Sequence, residues 1–449
     1  MISPPAVAAF LDQSRDLLGR GFVDRRIYSD PDLYELELRR VFAKSWCLVG
    51  LESQVRDPGQ FFESYIGEDA VLVTRDRQGQ VKVMLNSCPH RGNKVCRAET
   101  GKAHSFMCQY HGWTFNAAGE FVSAPGFDEH YQQDIRKEDW GLAQARVGLY
   151  GGLIFATFDD EIGSLDDFLG DFRWLLDVQL RRYPSELELA GGMIRWNIRM
   201  NWKLCAENGA GDLYHGRITH RSAMDVGHSA ITNDSANAAG VPLEAFTIVA
   251  NGHAGNVDYA VEPRDPFESV PPSPLSEHMK RSLGDMQRRL GTFRSHQVRR
   301  YNANVFPNAS FHTSADTIHI LHPRGVGETE VWMLCLVDPN APDDVKRYVR
   351  RESDHHFGPA GFFEEDDGEN WEQATRATRG VMAERLPFNM KMGHGRRETF
   401  RVGDSPELIR GGYNEYGQTA FLERWHELML EESGTIVAPR CGTSTSVST

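Results

Sequence analysis

No apolar run in this chain approaches the roughly 20 residues that a membrane-spanning helix needs. The opening segment MISPPAVAAFLDQSRD has no basic start, and Asp12 and Asp16 stand where a secretion signal is apolar. A cytoplasmic protein without a membrane partner is the expectation. Cysteine is scarce: there are 7, at positions 47, 88, 96, 108, 205, 335 and 441. An odd number spread so thinly argues against a disulfide framework and for reduced thiols, with any special cysteine bound to metal. Net positive charge is also missing, since 63 acidic residues against 49 basic ones give −14, and such a surface repels nucleic acid. Repeats are absent, and only the tail GTSTSVST reads as disordered. What remains is ordinary globular composition, 40% hydrophobic and 25% charged, over 449 residues, enough for two domains.

Residues 29–42 read as a helix, with Asp30 as cap, Pro31 in the first turn, and Tyr34, Leu38 and Val41 on one face. From Trp46 the texture changes. AVLVTR (70–75), VKVML (81–85) and GLIFATF (152–158) alternate with turn residues, which predicts an all-β module over 46–159. Helical segments return at 165–180 and 200–220, and VEPRDPFESVPPSP reads as a surface loop. Strands at 317–322 and 328–337 form a hairpin, and helices follow Pro342 and Gly361. Residues 1–45 and 160–449 thus predict an α+β domain, an antiparallel sheet covered by helices.

Chemistry enters with Cys88-Pro89-His90-Arg91-Gly92 and Cys108-Gln109-Tyr110-His111-Gly112-Trp113. Each short loop offers one thiolate and one imidazole. Two thiolates on one iron and two imidazoles on the other describe a Rieske [2Fe-2S] cluster. A structural zinc takes the same donors, although zinc fingers pair Cys with Cys and His with His. Cys96 lies between the loops, off the pattern, and reads as a packed thiol.

A second constellation follows: Asn201-Trp202-Lys203, Glu207-Asn208, Asp212, Tyr214-His215 and His220. Two imidazoles and one carboxylate make the facial triad that holds Fe(II) and leaves positions open. Asp212 and His215 fall on one helical face at i, i+3, whereas His215 and His220 diverge on a straight helix unless Gly216 ends or bulges it. Local spacing does not find the carboxylate ligand. The run Glu364-Glu365-Asp366-Asp367 reads by itself as a solvated acidic helix face.

With CxHRG, CxYHGW and the NWK, EN, DxYH, H pattern in this order, the chain resembles the alpha subunits of Rieske non-haem iron ring-hydroxylating dioxygenases. The resemblance implies an all-β Rieske domain and a helix-grip-like catalytic domain, carrying one [2Fe-2S] cluster and one Fe(II) per chain. By it, Cys88 and Cys108 bind one cluster iron and His90 and His111 the other. It implies His215 and His220 as ligands of the mononuclear iron, with Asp367 rather than Asp366 as the third, from a segment similar to FGPAGFFEEDDGENW. Asp212 then bridges His215 electronically to His111 of a neighbouring subunit.

The resemblance also implies electrons from NAD(P)H through a reductase and a ferredoxin, O2 added across an aromatic ring edge to give a cis-dihydrodiol, and a head-to-tail α3 ring or an α3β3 assembly with a small β subunit. Arg91, Lys94, Arg97 and Lys102 are then candidates for a ferredoxin-docking patch. The pocket is expected to include Asn208, Gly209, Gly216, His312, Phe357 and Phe363. The two glycines suggest extra width and His312 a polar contact, open to a hydroxylated or carboxylated aromatic. Monohydroxylation or demethylation on the same two-metal design, and an electron-carrier or zinc module without catalytic iron, are the rival readings. The segment from NMKMGHGRRETF to FLERW matches the family only loosely.

Overall fold

The computed structural model describes residues 4–131, 135–226, 243–267, 270, 272–313 and 315–431. Cys441 and the polar tail lie outside the described residues, as does part of the proline-rich loop. The chain forms two units, one of Phe42–Leu165 and one that joins Met1–Val41 to Asp166–Glu431.

In the first unit, seven antiparallel strands lie in the order Cys47–Leu51, Leu153–Thr157, Gln144–Tyr150, Val81–Leu85, Asp69–Arg75, Gln60–Ile66, Thr100–Lys102. A second sheet of three strands, Ser105–Met107, Thr114–Asn116 and Phe121–Ser123, carries the second Cys/His loop at its first turn. Phe61, Leu72, Met84, Trp113, Phe115 and Phe121 pack with Cys88 and Cys108 in one core, so both loops are anchored by apolar burial.

The second unit is built on a ten-stranded sheet. Near one edge, Thr317–Pro323 and Thr329–Val337 form the expected hairpin, followed across the sheet by Ala309–His312, Val298–Val305, His253–Ala260 and Leu243–Ala250. The helices Trp202–Gly209, Asp343–Phe357 and Tyr416–Leu430 pack on these strands, and Glu364–Thr378 packs against the first two. This is the α+β layout that the pattern predicts. Among the described residues no helix is long and apolar enough to cross a membrane.

Three local expectations need correction. The helix over 29–42 is capped by Asp30, which accepts from the Asp32 and Leu33 amides, but its α-turns stop at Glu37 and a π-turn occupies Leu38–Phe42. Within 200–220, only Trp202–Gly209 and Gly216–Thr219 are helical; Asp212 sits in the turn between them. The acidic run from Glu364 is helical but not solvated along its length, because Glu364 and Asp367 are buried at i, i+3. An N-terminal helix, Pro4–Gly19, had no counterpart in the sequence reading.

Candidate metal centres and active site

The two Cys/His loops share one construction. Gly92 and Gly112 both adopt φ +73°, and their amides donate back to the carbonyls of Cys88 and Cys108 at 2.8 and 2.9 Å. The Cys88 amide donates to Asn93 O at 2.9 Å and the Cys108 amide to Trp113 O at 2.7 Å. The left-handed conformation is what glycine supplies at each turn. Both thiols are buried while His111 is exposed, so sulfur faces the core and imidazole the surface.

The His90 and His111 ring centroids are 4.5 Å apart, and His90 stacks on Trp113 at 5.1 Å and 2°. Burial and the neighbouring Cys108 push the Cys88 thiol up to about 11. Burial also opposes ionisation of Cys108, but the Tyr110 amide, the Asn93 side chain at 3.6 Å and Cys88 together bring it below its ordinary value. His90 Nδ1 is buried without a hydrogen-bond partner, an uncommon state for a ring nitrogen. Two buried thiols, a half-buried and an exposed imidazole, and a ring nitrogen left without a partner fit a cluster whose two irons differ in ligand type.

The loops differ in surroundings. A Cβ on Gly92 meets nothing within 4 Å, whereas one on Gly112 meets Pro125 at 2.9 and 3.0 Å. Gly92→Ala is expected to cost only about 1–2 kcal/mol of backbone strain, and Gly112→Ala to lose more cluster because overlap is added. Acid-labile sulfide per purified chain is the measurement; equal sulfide in the two variants contradicts the expectation.

In the other unit, the helix Trp202–Gly209 ends at Ala210 and the chain turns at Gly211, φ +133°, where Asn256 holds the Gly211 carbonyl. Asp212 Oδ1 accepts from the Tyr214 and His215 amides at 3.0 and 3.2 Å. These bonds start the single turn Gly216–Thr219, with His215 and His220 as its two flanking residues. Gly216 thus begins the helical turn rather than ending one, and the short turn lets rings five residues apart converge.

Their Nε2 atoms are 3.1 Å apart, and Asp367 Oδ1 lies 3.4 Å from the first and 3.5 Å from the second. Ligand atoms about 2.1 Å from one metal and at right angles to each other are about 3 Å apart, so the triad is near that geometry. Each Nδ1 has its own carboxylate: Asp212 Oδ2 at 3.4 Å for His215 and Asp366 Oδ2 at 3.4 Å for His220. Both imidazoles are thereby oriented with Nε2 inward. Asp366, weighed against Asp367 from sequence, lies beside His220 Nδ1, away from the three converging atoms. Burial pushes His220 down to about 3 and Asp367 up to about 7. Against the pull of burial, Asp212 and Asp367 raise His215 above its ordinary value; a neutral imidazole at His220 and carboxylates drawing positive charge to His215 suit a divalent cation.

The NWK run serves to place these groups. Asn201 caps its helix by accepting from the Lys203 amide, and its own amide donates to Thr375 Oγ1 at 2.9 Å, on the helix that carries Asp367. Glu37, fully buried, accepts from Trp202 Nε1 at 2.8 Å, Trp425 Nε1 at 2.8 Å and Lys203 Nζ at 2.5 Å. Tyr28 donates to Glu207 at 2.6 Å, and burial pushes Glu207 up to about 8.

Of the expected pocket residues, Asn208 places its side-chain nitrogen 3.4 Å from His215 Nδ1. Phe363 meets the His220 ring at 4.7 Å, Phe357 meets Phe363 at 5.8 Å, and His312 stacks on Phe357 at 4.6 Å. Gly209 gives no extra width, since a Cβ there meets Ser310 Oγ at 2.4 Å; Gly216 is open, with nothing within 4 Å. The sequence reading missed Asn302, His319 and Glu364 beside this row, and no local motif marks them. Around the cluster loops, Arg91, Arg97 and Lys102 are exposed, but Lys94 is committed to Glu63 at 2.5 Å.

Two family models match the chain. Residues 45–138 match the Rieske [2Fe-2S] domain and 176–431 the ring hydroxylating alpha subunit (catalytic domain). The chain is 37% identical to the biphenyl dioxygenase alpha subunit of Paraburkholderia xenovorans, over 97% of its own length and 96% of that protein's. It is 37% identical to a benzene 1,2-dioxygenase alpha subunit of Pseudomonas putida, with 91% of each chain covered. The crystal structure of naphthalene 1,2-dioxygenase from Rhodococcus sp. bound to indole superposes with TM-score 0.85 and 32% identity, covering 97% of this chain and 100% of that one. With both domains matched and both donor sets in place, the chain belongs to the Rieske ring-hydroxylating dioxygenase alpha subunits, enzymes that work through a [2Fe-2S] cluster and a mononuclear iron.

Proposed function

We propose that the chain is the terminal oxygenase subunit that adds both atoms of O2 across one edge of an aromatic ring, giving a cis-dihydrodiol. His215, His220 and Asp367 hold the Fe(II); Cys88 and Cys108 hold one cluster iron and His90 and His111 the other. The convergence of two Nε2 atoms and one carboxylate oxygen within 3.5 Å, each imidazole backed by its own carboxylate, carries this reading. When bound, the mononuclear iron supplies O2 activation and the cluster supplies electrons one at a time. The protein's part is positional. Asp212 and Asp366 fix the two imidazoles, Phe357 and Phe363 form an apolar wall beside His220, and Asn208 borders His215.

Asp212 is half-buried, and its hydrogen bond to His215 helps hold it below the ordinary carboxylate range, although burial opposes this. It therefore stays ionised at neutral pH, in the form able to accept from a second imidazole. That second imidazole is His111 of a neighbouring subunit, in an α3 or α3β3 ring with a small β subunit. Electrons arrive from NAD(P)H through a reductase and a ferredoxin. No disulfide joins the cysteines among the described residues, which suits a reducing cytoplasm. The relatives act on biphenyl and benzene, and an aromatic hydrocarbon core of one or two rings is the substrate class.

Iron and sulfide analysis with EPR of the reduced holoprotein, followed by product analysis under labelled O2, tests this. Three irons and two sulfides per chain and two labelled oxygens in one product are expected. One labelled oxygen points instead to a monooxygenase, and zinc without sulfide sinks the assignment. For the donor surface, reversing Arg91, Arg97 and Lys102 to Glu together is expected to raise the KM for ferredoxin about tenfold at low salt, with the gap closing as salt rises. An unchanged KM removes the patch.

A further inference from the structure

The aromatic row that starts at His220 does not end in hydrocarbon. After Phe363 and Phe357 comes His312, stacked at 4.6 Å and 20°, and next to it His319, at 5.0 Å between ring centroids. Behind these, Glu364 Oε2 lies 3.7 Å from His319 Nδ1. His319 and Glu364 are buried, and both ring nitrogens of the first and Oε1 of the second have no hydrogen-bond partner. A buried polar atom left unpaired is costly, and a pocket for a pure hydrocarbon has no use for a polar end.

His312 is the member of this end that is set up to receive a ligand. Its Nδ1 lies 3.4 Å from Asn302 Oδ1, and a carbonyl oxygen only accepts, so Nδ1 carries the proton. Nε2 is then a lone-pair acceptor, and among the described residues it has no partner. Burial alone pushes His312 down to about 4, so the ring is neutral at neutral pH. Among the described residues, neither Lys nor Arg forms an ion pair or hydrogen bond with His312, Asn302 or His319. A carboxylate would bring an uncompensated charge into this corner. A neutral hydroxyl would instead find the acceptor it needs.

Resting on the ring-dioxygenase reading above, we propose that the preferred substrate is an aromatic ring bearing an uncharged hydroxyl group, whose O–H donates to His312 Nε2. That contact lies at the end of the Phe357–Phe363 wall opposite His220 and fixes which ring edge faces the metal ligands. His312 is then the residue that sets substrate preference.

The test compares biphenyl with its 2-, 3- and 4-hydroxy derivatives. Dissociation constants and single-turnover products are measured on the reduced holoenzyme and on His312→Leu and His312→Gln variants of matched iron and cluster content. At least one hydroxybiphenyl is expected to bind on the order of tenfold more tightly than biphenyl. His312→Leu should erase that ratio, and His312→Gln should keep part of it. If no hydroxybiphenyl is preferred, or if His312→Leu leaves the ratio intact, the inference falls. Failure of the dioxygenase reading looks different: no diol from any of the four compounds, whatever their binding order.

Discussion

Asp367→Ala is expected to leave the Rieske EPR signal intact while the third iron per chain disappears and turnover falls at least about a thousandfold. Loss of a metal that lowers the barrier by several kcal/mol corresponds to that factor. The neighbouring variant Asp366→Asn is the informative contrast. Asp366 lies 3.4 Å from His220 Nδ1, on the side of the ring away from Nε2, so its loss should weaken iron binding about 10- to 100-fold without abolishing it. The reverse ranking would mean that the helix presents Asp366 to the metal. A pH effect follows with a definite sign. Burial holds the Asp367 carboxyl up to about 7, so below that pH protons compete with the metal for it. Iron affinity should therefore fall as pH is lowered through 7, and an iron affinity flat from pH 8 to 6 would count against Asp367 as a ligand.

The second large effect concerns stability. Lys203→Met leaves the Glu37 carboxylate fully buried with two indole donors and no cation. Removing one partner of a buried pair costs about 3–5 kcal/mol, and for a domain of this size that lowers the catalytic unit's transition by about 10 °C. Adding Glu37→Gln should recover most of the loss, since no charge is then stranded. Scanning calorimetry of the single and double variants decides it. A double variant as unstable as Lys203→Met alone would show that packing around Lys203, not the charge, is what matters.

The parts legible in sequence are those whose chemistry is local. The paired loops at Cys88 and Cys108, the Asp30-Pro31 helix start, the strand Val81–Leu85 and the hairpin Thr317–Val337 each carry their own signal within a few residues. The strands Leu243–Ala250, His253–Ala260 and Val298–Val305 do not. Most of His253–Ala260 is buried on both faces, so the alternation that marks a strand is lost, and Asn256 and Asn304 sit inside where polar residues suggest loops. The carboxylate of the proposed triad was hidden for a related reason. Four acids in a row look solvated, and only the helix register shows that Glu364 and Asp367 face inward. Glu37 gave no signal, because its partners lie 165, 166 and 388 residues away.

Those separations also order events during synthesis. Among the described residues the unit spanning Phe42–Leu165 is continuous and has all the proposed cluster donors by Trp113, so it can fold and be loaded while the ribosome is still at work. The other unit must keep its first helices waiting until Trp425 arrives to close on Glu37. His220 likewise waits 146 residues for the helix that delivers the neighbouring carboxylates. The cluster can thus be installed in a nascent chain, whereas the triad proposed for the mononuclear iron is complete only once Asp367 has been made. Cells short of iron late in translation should accumulate chains that carry a Rieske centre but cannot oxygenate.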